Sequence, residues 1–410
     1  MSGYVTHPFI VTTATLLAQA VVSMGALTLP VLAPTLGEVL RVDASLIGYQ
    51  VSIVYAGAML SSAVGGQVVL RLGACRATQV ALGWVGIAMV LSMVPQLFLL
   101  AMAALFLGFG YGVSNPSGAH LLARFTPAGR RNLIFSLKQT GVPLGGMAAA
   151  LVAPYLAHAF DWRIALACVL VLASLGLLLL QPVRPHWDDD RNSAATQRSQ
   201  QGWAHAFDGI RLVWRQRDLR YLSLMALCFA GVQLCLMTFT VSFLVKEAGY
   251  SLIDAGLLLS AVQFAGAIGR IGWGWLADRW HASRATLLVL SICMLLSTLA
   301  ITRVDPQWEV WAISVAFIVM GATAIGWNGV FLAEVARLAP SGQVSTATGG
   351  ALFLTFSGVL MGPSLFAATY AYLRSYADTF IVAAVLVALG LAFLLGSHRP
   401  LIRGARAPLR

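Results

Sequence analysis

Two cations stand in surroundings that hold few others. Arg270 lies inside GAIGRIGWGWLADR (266–279) and Lys138 inside FSLKQTGVPLGG (135–146), both apolar, glycine-rich stretches. A guanidinium is a planar fork of N–H donors that grips a carboxylate through two parallel hydrogen bonds, whereas an ammonium is a compact point charge with three donors. Neighbouring stretches carry no acid at the depth of Arg270, so an anion from solution is its natural partner. The chemistry this suggests is recognition of a small organic anion. Two structural alternatives stand beside it: backbone carbonyls or a nearby acid could hold Arg270, and Lys138 could extend its stem to the lipid headgroups.

The elements that must position these cations are membrane-spanning helices. Of 410 residues, 59% are hydrophobic and 10% charged, which no water-facing surface accommodates. A spanning helix needs about 20 mostly apolar residues. Scanning for such runs predicts twelve, near 9–37, 45–70, 77–95, 97–124, 133–157, 163–181, 219–245, 252–277, 285–302, 309–336, 343–371 and 377–396. The first outruns a signal-peptide core and has no basic residue before it, which predicts a retained helix. The fold class expected is therefore an all-α membrane protein of twelve transmembrane helices. Arg270 precedes Asp278 by eight residues, about 12 Å along a helix, which sets it near the midplane of a hydrocarbon core about 30 Å thick. Arginine there costs about 2.5–3.5 kcal/mol on insertion scales, and intramembrane charges usually mark a substrate path.

Cytoplasmic loops accumulate Lys and Arg. With both termini in the cytoplasm, 19 of the 26 basic residues fall on that side and 5 on the other, leaving Lys138 and Arg270 in the membrane. The net charge of +11 then reflects topology and an anionic leaflet, not nucleic acid. The five cysteines sit in or at the edges of predicted helices, with no disulfide framework or metal-ligand spacing, and no cofactor is expected. The chain has no Asn-x-Ser/Thr site outside a proline context, in keeping with a bacterial inner membrane.

The long polar segment RPHWDDDRNSAATQRSQQ divides the chain into an N-terminal six-helix bundle (1–181), a cytoplasmic linker (182–218) and a C-terminal six-helix bundle (219–410). Within the linker, Trp203, Phe207, Ile210 and Trp214 recur at helical spacing beside Arg211, Arg215 and Arg217, the pattern of a helix lying on the membrane surface. The halves repeat: GFGYGVSNPSGAHLLARFTP (108–127) aligns without gaps on GATAIGWNGVFLAEVARLAP (321–340), matching Asn115 with Asn328, Arg124 with Arg337 and Pro127 with Pro340. GQVVLRLGACR (66–76) likewise echoes GWLADRWHASR (274–284). A duplicated six-helix unit is a signature of secondary transporters, with substrate held between the halves.

Twelve spans in two repeats, a long central loop and GWLADR between spans 8 and 9 resemble the major facilitator superfamily over essentially the whole chain. The resemblance implies a conformational latch at Gly274, Asp278, Arg279 and Arg71, in which the acidic residue meets a helix N-terminus of the opposite half. Leu70 stands where the first half should carry its acid, so one electrostatic latch is expected instead of two. Arg270 is similar in place to the span 8 arginine that binds substrate carboxylate in the family's monocarboxylate and oxalate carriers. In the family's fold, spans 5 and 8 lie side by side, so Lys138 and Arg270 could share one site. Gly141, Pro143, Gly145 and Gly146 resemble the glycine-proline signature of drug and proton antiporters with altered spacing, and read equally as packing residues.

Further polar residues that could complete the site are Gln19, Gln50, Tyr55, Tyr111, Asn115, Gln139, Gln233, Gln263, Trp327 and Asn328. Each could equally make interhelical hydrogen bonds. Asn115 and Asn328 stand out by occupying equivalent places in the two repeats, and Gln263 lies two turns from Arg270 on the same side of its helix. Proton coupling would use His120 or Glu334, although Glu334 is three residues from Arg337 and could form an ion pair. Without a titrating group, anion exchange remains. No Gly-Lys pair, His-Glu-x-x-His or Gly-x-Ser-x-Gly occurs, which argues against an ATP-driven pump and an enzyme. The expected function is alternating-access transport of a small organic anion by a monomer in the lipid bilayer, with protons or a counter-anion as coupling partner. The rival is a drug or metabolite efflux antiporter of the same superfamily.

Overall fold

The computed structural model describes residues 7–125, 134, 137–189, 202–280, 282–304, 308–340 and 344–397. Among the described residues no strand forms, and twelve helices are long and apolar enough to cross a membrane. The two most apolar of these, Trp162–Leu180 and Tyr376–Gly396, are also the two least buried. Val171, Leu175, Leu178 and Leu179 of the former point outward. Such faces are ruinous in water and at home against lipid tails. The protein is a multi-pass membrane protein.

The chain packs as two compact units. The first comprises residues 1–203 and 237–260. It is built on α1 (Pro8–Val31), α2 (Ala33–Leu40), α3 (Ile47–Leu72), α4 (Ala74–Ser92), α5 (Leu97–Phe125), α6 (Gly141–Ala159), α7 (Trp162–Leu180) and the short α8 (Arg184–Trp187). Within it α5 packs on α3, α4 and α1, while α6 packs on α1. The second comprises residues 204–236 and 261–410. Its helices are α9 (Gly202–Arg215), α12 (Ser283–Ile301), α13 (Val310–Ala324), α14 (Asn328–Leu338), α15 (Val344–Leu373) and α16 (Tyr376–Gly396), while α10 (Arg217–Lys246) and α11 (Leu252–Trp280) are each divided between the two units. An aromatic core of Phe317, Phe366, Phe380, Tyr370 and Tyr376 joins α13, α15 and α16.

Besides a turn at Thr140 within the fifth, two predicted spans are each divided in the structure. The first breaks at Leu32 into α1 and α2, because Pro34 has no N–H for the carbonyl of Pro30. The tenth breaks at residues 325–327 into α13 and α14, with no proline responsible. That second break becomes part of the candidate site.

Residues 184–189, read from composition as the start of a polar linker, are tied to the first unit. The backbone turns between α3 and α4 at Gly73, whose φ is 92°. Asp188, 4% exposed, occupies the N-terminus of α4. Its Oδ1 accepts from the Cys75 amide at 2.7 Å and its Oδ2 from the Arg76 amide at 3.1 Å. First-turn amides have no partner inside their helix, and the helix dipole favours an anion there. Arg184 approaches the same carboxylate at 3.7 Å, Arg124 pairs with Asp189, and Arg124 Nη1 donates to the Trp187 carbonyl. A Cβ on Gly73 would stand 2.2 Å from Asp188 Cγ, so this turn requires glycine both for its φ and for the carboxylate beside it.

Asp188→Ala should therefore lower stability by about 2 kcal/mol, two buried amides losing their acceptor. Asp188→Asn should cost less, and Gly73→Ala should be at least as damaging as Asp188→Ala. Apparent melting temperatures of the detergent-purified variants check this order; an unchanged Asp188→Ala would refute the cap.

Candidate anion-binding residues

Lys138 stands three residues before Gly141, where α6 begins. The first turns of α6 press onto α1: a Cβ on Gly141 would lie 2.6 Å from the Leu16 carbonyl oxygen, and one on Gly145 2.1 Å from that of Ala20. Such backbone proximity needs small residues, and it carries Lys138 to Gln19 of α1. The side chain is 4% exposed. Its Nζ donates to Gln19 Oε1 at 2.9 Å, Asn115 Oδ1 at 2.9 Å and Gln139 Oε1 at 3.4 Å. Ser114 Oγ also donates to Gln19 Oε1, at 3.2 Å. Gly118 leaves room for the lysine stem, since a Cβ there would be 3.1 Å from Lys138 Cε.

The three donors of this ammonium are thus met by amide oxygens, all neutral. Among the described residues no carboxylate pairs with Lys138. Hydrogen bonds satisfy its N–H groups without cancelling its charge. One turn before Asn115, Tyr111 stacks edge-on against Tyr55 of α3, with ring centroids 5.6 Å apart.

In the second unit the break between α13 and α14 leaves backbone carbonyls with no helical donor, a costly state in hydrocarbon. Side chains take them up. Trp273 Nε1 donates to the Ala322 carbonyl at 3.0 Å, Trp327 Nε1 to that of Ala324 at 3.1 Å, and Arg270 Nε to that of Ile325 at 3.0 Å. Asn328 Nδ2 reaches the same Ile325 oxygen at 3.4 Å and Gln233 Oε1 at 3.2 Å. Close contact of α11 with α13 makes this geometry possible, for a Cβ on Gly269 would lie 2.3 Å from the Ala322 oxygen. Gln263, 1% exposed, has both amide atoms buried with no hydrogen-bond partner.

The structure therefore joins Lys138, Asn115 and Gln139 in one cluster, with Gln19. It joins Arg270, Asn328 and Gln233 in another, with Trp327 at the break. Gln50 stands apart, in the wall of a largely apolar cavity of about 230 Å³ between the ends of α1, α2, α3 and α5. Its amide atoms are buried without a partner. His120 is half-buried on α5. Glu334 is 0% exposed and forms a two-point ion pair with Arg337, whose hydrogen bonds raise the guanidinium pKa. Of the latch residues, Arg71 and Arg279 are exposed and Gly274 is half-buried; the side chain of Asp278 lies outside those described.

Ser114, Gly118, Trp273 and the Ile325 carbonyl were not singled out by sequence. Only the run Gly321 to Gly329, with glycines flanking Trp327 and Asn328, carried a signal for the break.

A sequence profile of the Major Facilitator Superfamily matches residues 15–363. The gentisate transporter of Corynebacterium glutamicum is 26% identical over 303 residues, 70% of this chain and 65% of that protein. The benzoate transport protein of Acinetobacter baylyi is 24% identical over 289 residues, 63% of this chain and 60% of that protein. The chain thus spans less than two thirds of the length of these two curated relatives. A crystal structure of a D-xylose-proton symporter matches the fold with a TM-score of 0.75 at 19% identity, covering 95% of this chain and 97% of that one. These relatives are transporters and not enzymes. With twelve apolar spans and a family profile running across most of them, the chain belongs to the Major Facilitator Superfamily.

Proposed function

We propose that this protein is a secondary transporter that moves a small organic anion, an aromatic carboxylate, across the membrane by alternating access. The observation that carries the reading is Lys138, a buried ammonium whose hydrogen-bond partners are all neutral. A carboxylate is the missing charge, and the Tyr55–Tyr111 pair one turn away suits an aromatic ring. Arg270 is a second cation within a span, its Nε donating to the Ile325 carbonyl of the second unit. Gln263 supplies an unbonded amide, a cost of about 1–3 kcal/mol that a polar ligand group relieves. The benzoate and gentisate named for two relatives are of this chemical class.

The frame of the proposal is two six-span halves around a linker, acting as a monomer in a bacterial inner membrane with both termini cytoplasmic. Coupling is by proton symport or by anion exchange. Glu334, already committed to Arg337, serves structure in this scheme and leaves His120 as the proton candidate.

Lys138→Gln should keep expression and melting temperature, since an amide can still donate to Gln19 or Asn115. It should weaken carboxylate binding by about 10- to 100-fold, the worth of a charge-assisted hydrogen bond. The assay is thermal stability of purified protein against benzoate, gentisate, short dicarboxylates and cationic drugs. A ligand at about 100 times its Kd stabilises by about 2.7 kcal/mol. Stabilisation by cations alone, or equal responses of wild type and variant, would overturn the reading in favour of an efflux antiporter.

Arg270→Gln should abolish uptake into proteoliposomes without loss of protein, and Arg270→Lys should fail as well, because an ammonium cannot make the two-point contact. Normal uptake by Arg270→Gln would remove this residue from the site. In the same vesicles, uptake driven by an imposed pH gradient but not by internal benzoate identifies symport, and the converse identifies exchange. His120→Gln should abolish only gradient-driven uptake.

A further inference from the structure

The surface helix α9 ends at Arg215 and the membrane span α10 begins at Arg217, one residue on. That short link holds the end of α9 at the level of the lipid headgroups. Arg211, Trp214, Arg215 and Arg217 of this elbow are all exposed, Trp214 by 52%, while Gly209 and Val213 on the other face are buried. Tryptophan favours this depth because its ring is amphipathic.

The elbow is organised, beyond being basic. The Arg220 guanidinium lies over both the Trp214 ring, at 5.9 Å, and the Tyr221 ring, at 5.7 Å. Its Nη1 donates to the Trp214 carbonyl at 3.4 Å. Arg217 lies over the Tyr221 ring at 5.5 Å. Arg220 thus ties the two rings together and the Tyr221 ring seats the Arg217 guanidinium, which lowers the entropy that Arg217 loses on gripping an anion. The acid within this run, Asp218, is half-buried and lines a small cavity with Arg284 and Glu334. Backbone contact anchors the helix behind: a Cβ on Gly350 of α15 would lie 2.1 Å from the Gly209 carbonyl oxygen.

We infer that the α9–α10 elbow is a binding site for the phosphate of an anionic phospholipid, with Arg211, Arg215 and Arg217 as its contacts and Arg220, Trp214 and Tyr221 as its frame. Charge complementarity selects the headgroup, and the position at the start of a membrane span selects a lipid over a soluble phosphate. Because α9 rests on α15 at Gly209 and Gly350, lipid held at the elbow also braces the end of that span.

Native mass spectrometry of the full chain, released from nanodiscs of equal phosphatidylglycerol and phosphatidylcholine, tests the site. Wild type should retain phosphatidylglycerol preferentially, and each of Arg211→Gln, Arg215→Gln and Arg217→Gln should lower that preference roughly fivefold, the share of one arginine at the surface. These side chains are exposed, so the variants should fold; a melting temperature within a degree or so of wild type in neutral lipid verifies it. Paired Arg41→Gln and Arg303→Gln, exposed arginines at the ends of other helices, should leave the preference intact. The inference is overturned if this control loses as much as the elbow variants, if no preference exists, or if inorganic phosphate displaces the lipid.

Discussion

Hydrocarbon offers no hydrogen bonds, and that poverty governs every polar atom inside this protein. An amide, a carbonyl or an ammonium within a span must be answered by another group of the same chain or by a ligand. The first unit answers Lys138 with amide oxygens from α1 and α5 and from its neighbour Gln139. The second answers the broken tenth span with two indoles and a guanidinium. The partners of Lys138 are all neutral. Under the proposed transport of an anion, this arrangement leaves no resident carboxylate on Lys138 to compete with the substrate.

Such clusters demand that helices approach until backbones touch. Gly141 and Gly145 bring α6 onto α1, and Gly269 brings α11 onto α13. A methyl group at any of them would meet a carbonyl oxygen well inside van der Waals distance. The small residues therefore do more than pack. They set the separation at which a lysine reaches a glutamine and an arginine reaches a carbonyl, so the placement of each cation is written into a stripe of residues that carry no charge.

Most of the fold could be read from hydropathy, because spans in lipid must be long and apolar and loops between them polar. The two cations were legible for the same reason: a charge in such a run is costly enough to stand out. Asn115 and Asn328 were legible from the repeat, yet they act differently, one accepting from Lys138 and the other donating to Gln233. The break at residues 325–327 was hidden because Ala, Ile, Gly and Trp continue the apolar run, and hydropathy does not see backbone direction. Gln50 looked like Gln263 by type and span, but its place beside an apolar cavity depends on where α1 bends. The role of Asp188 was masked by its company, three successive aspartates in a segment whose composition reads as solvated.

The Asp188 cap has a consequence for synthesis. The amides it receives belong to residues 75 and 76, so the ribosome completes the donors more than one hundred residues before their acceptor. During that interval the start of α4 must rely on water or on the translocation machinery for its hydrogen bonds. The first unit is consequently unfinished until α7 has been inserted and the chain has returned to the side from which α4 departed. The cap therefore forms only when every span between Cys75 and Asp188 has adopted its proper direction.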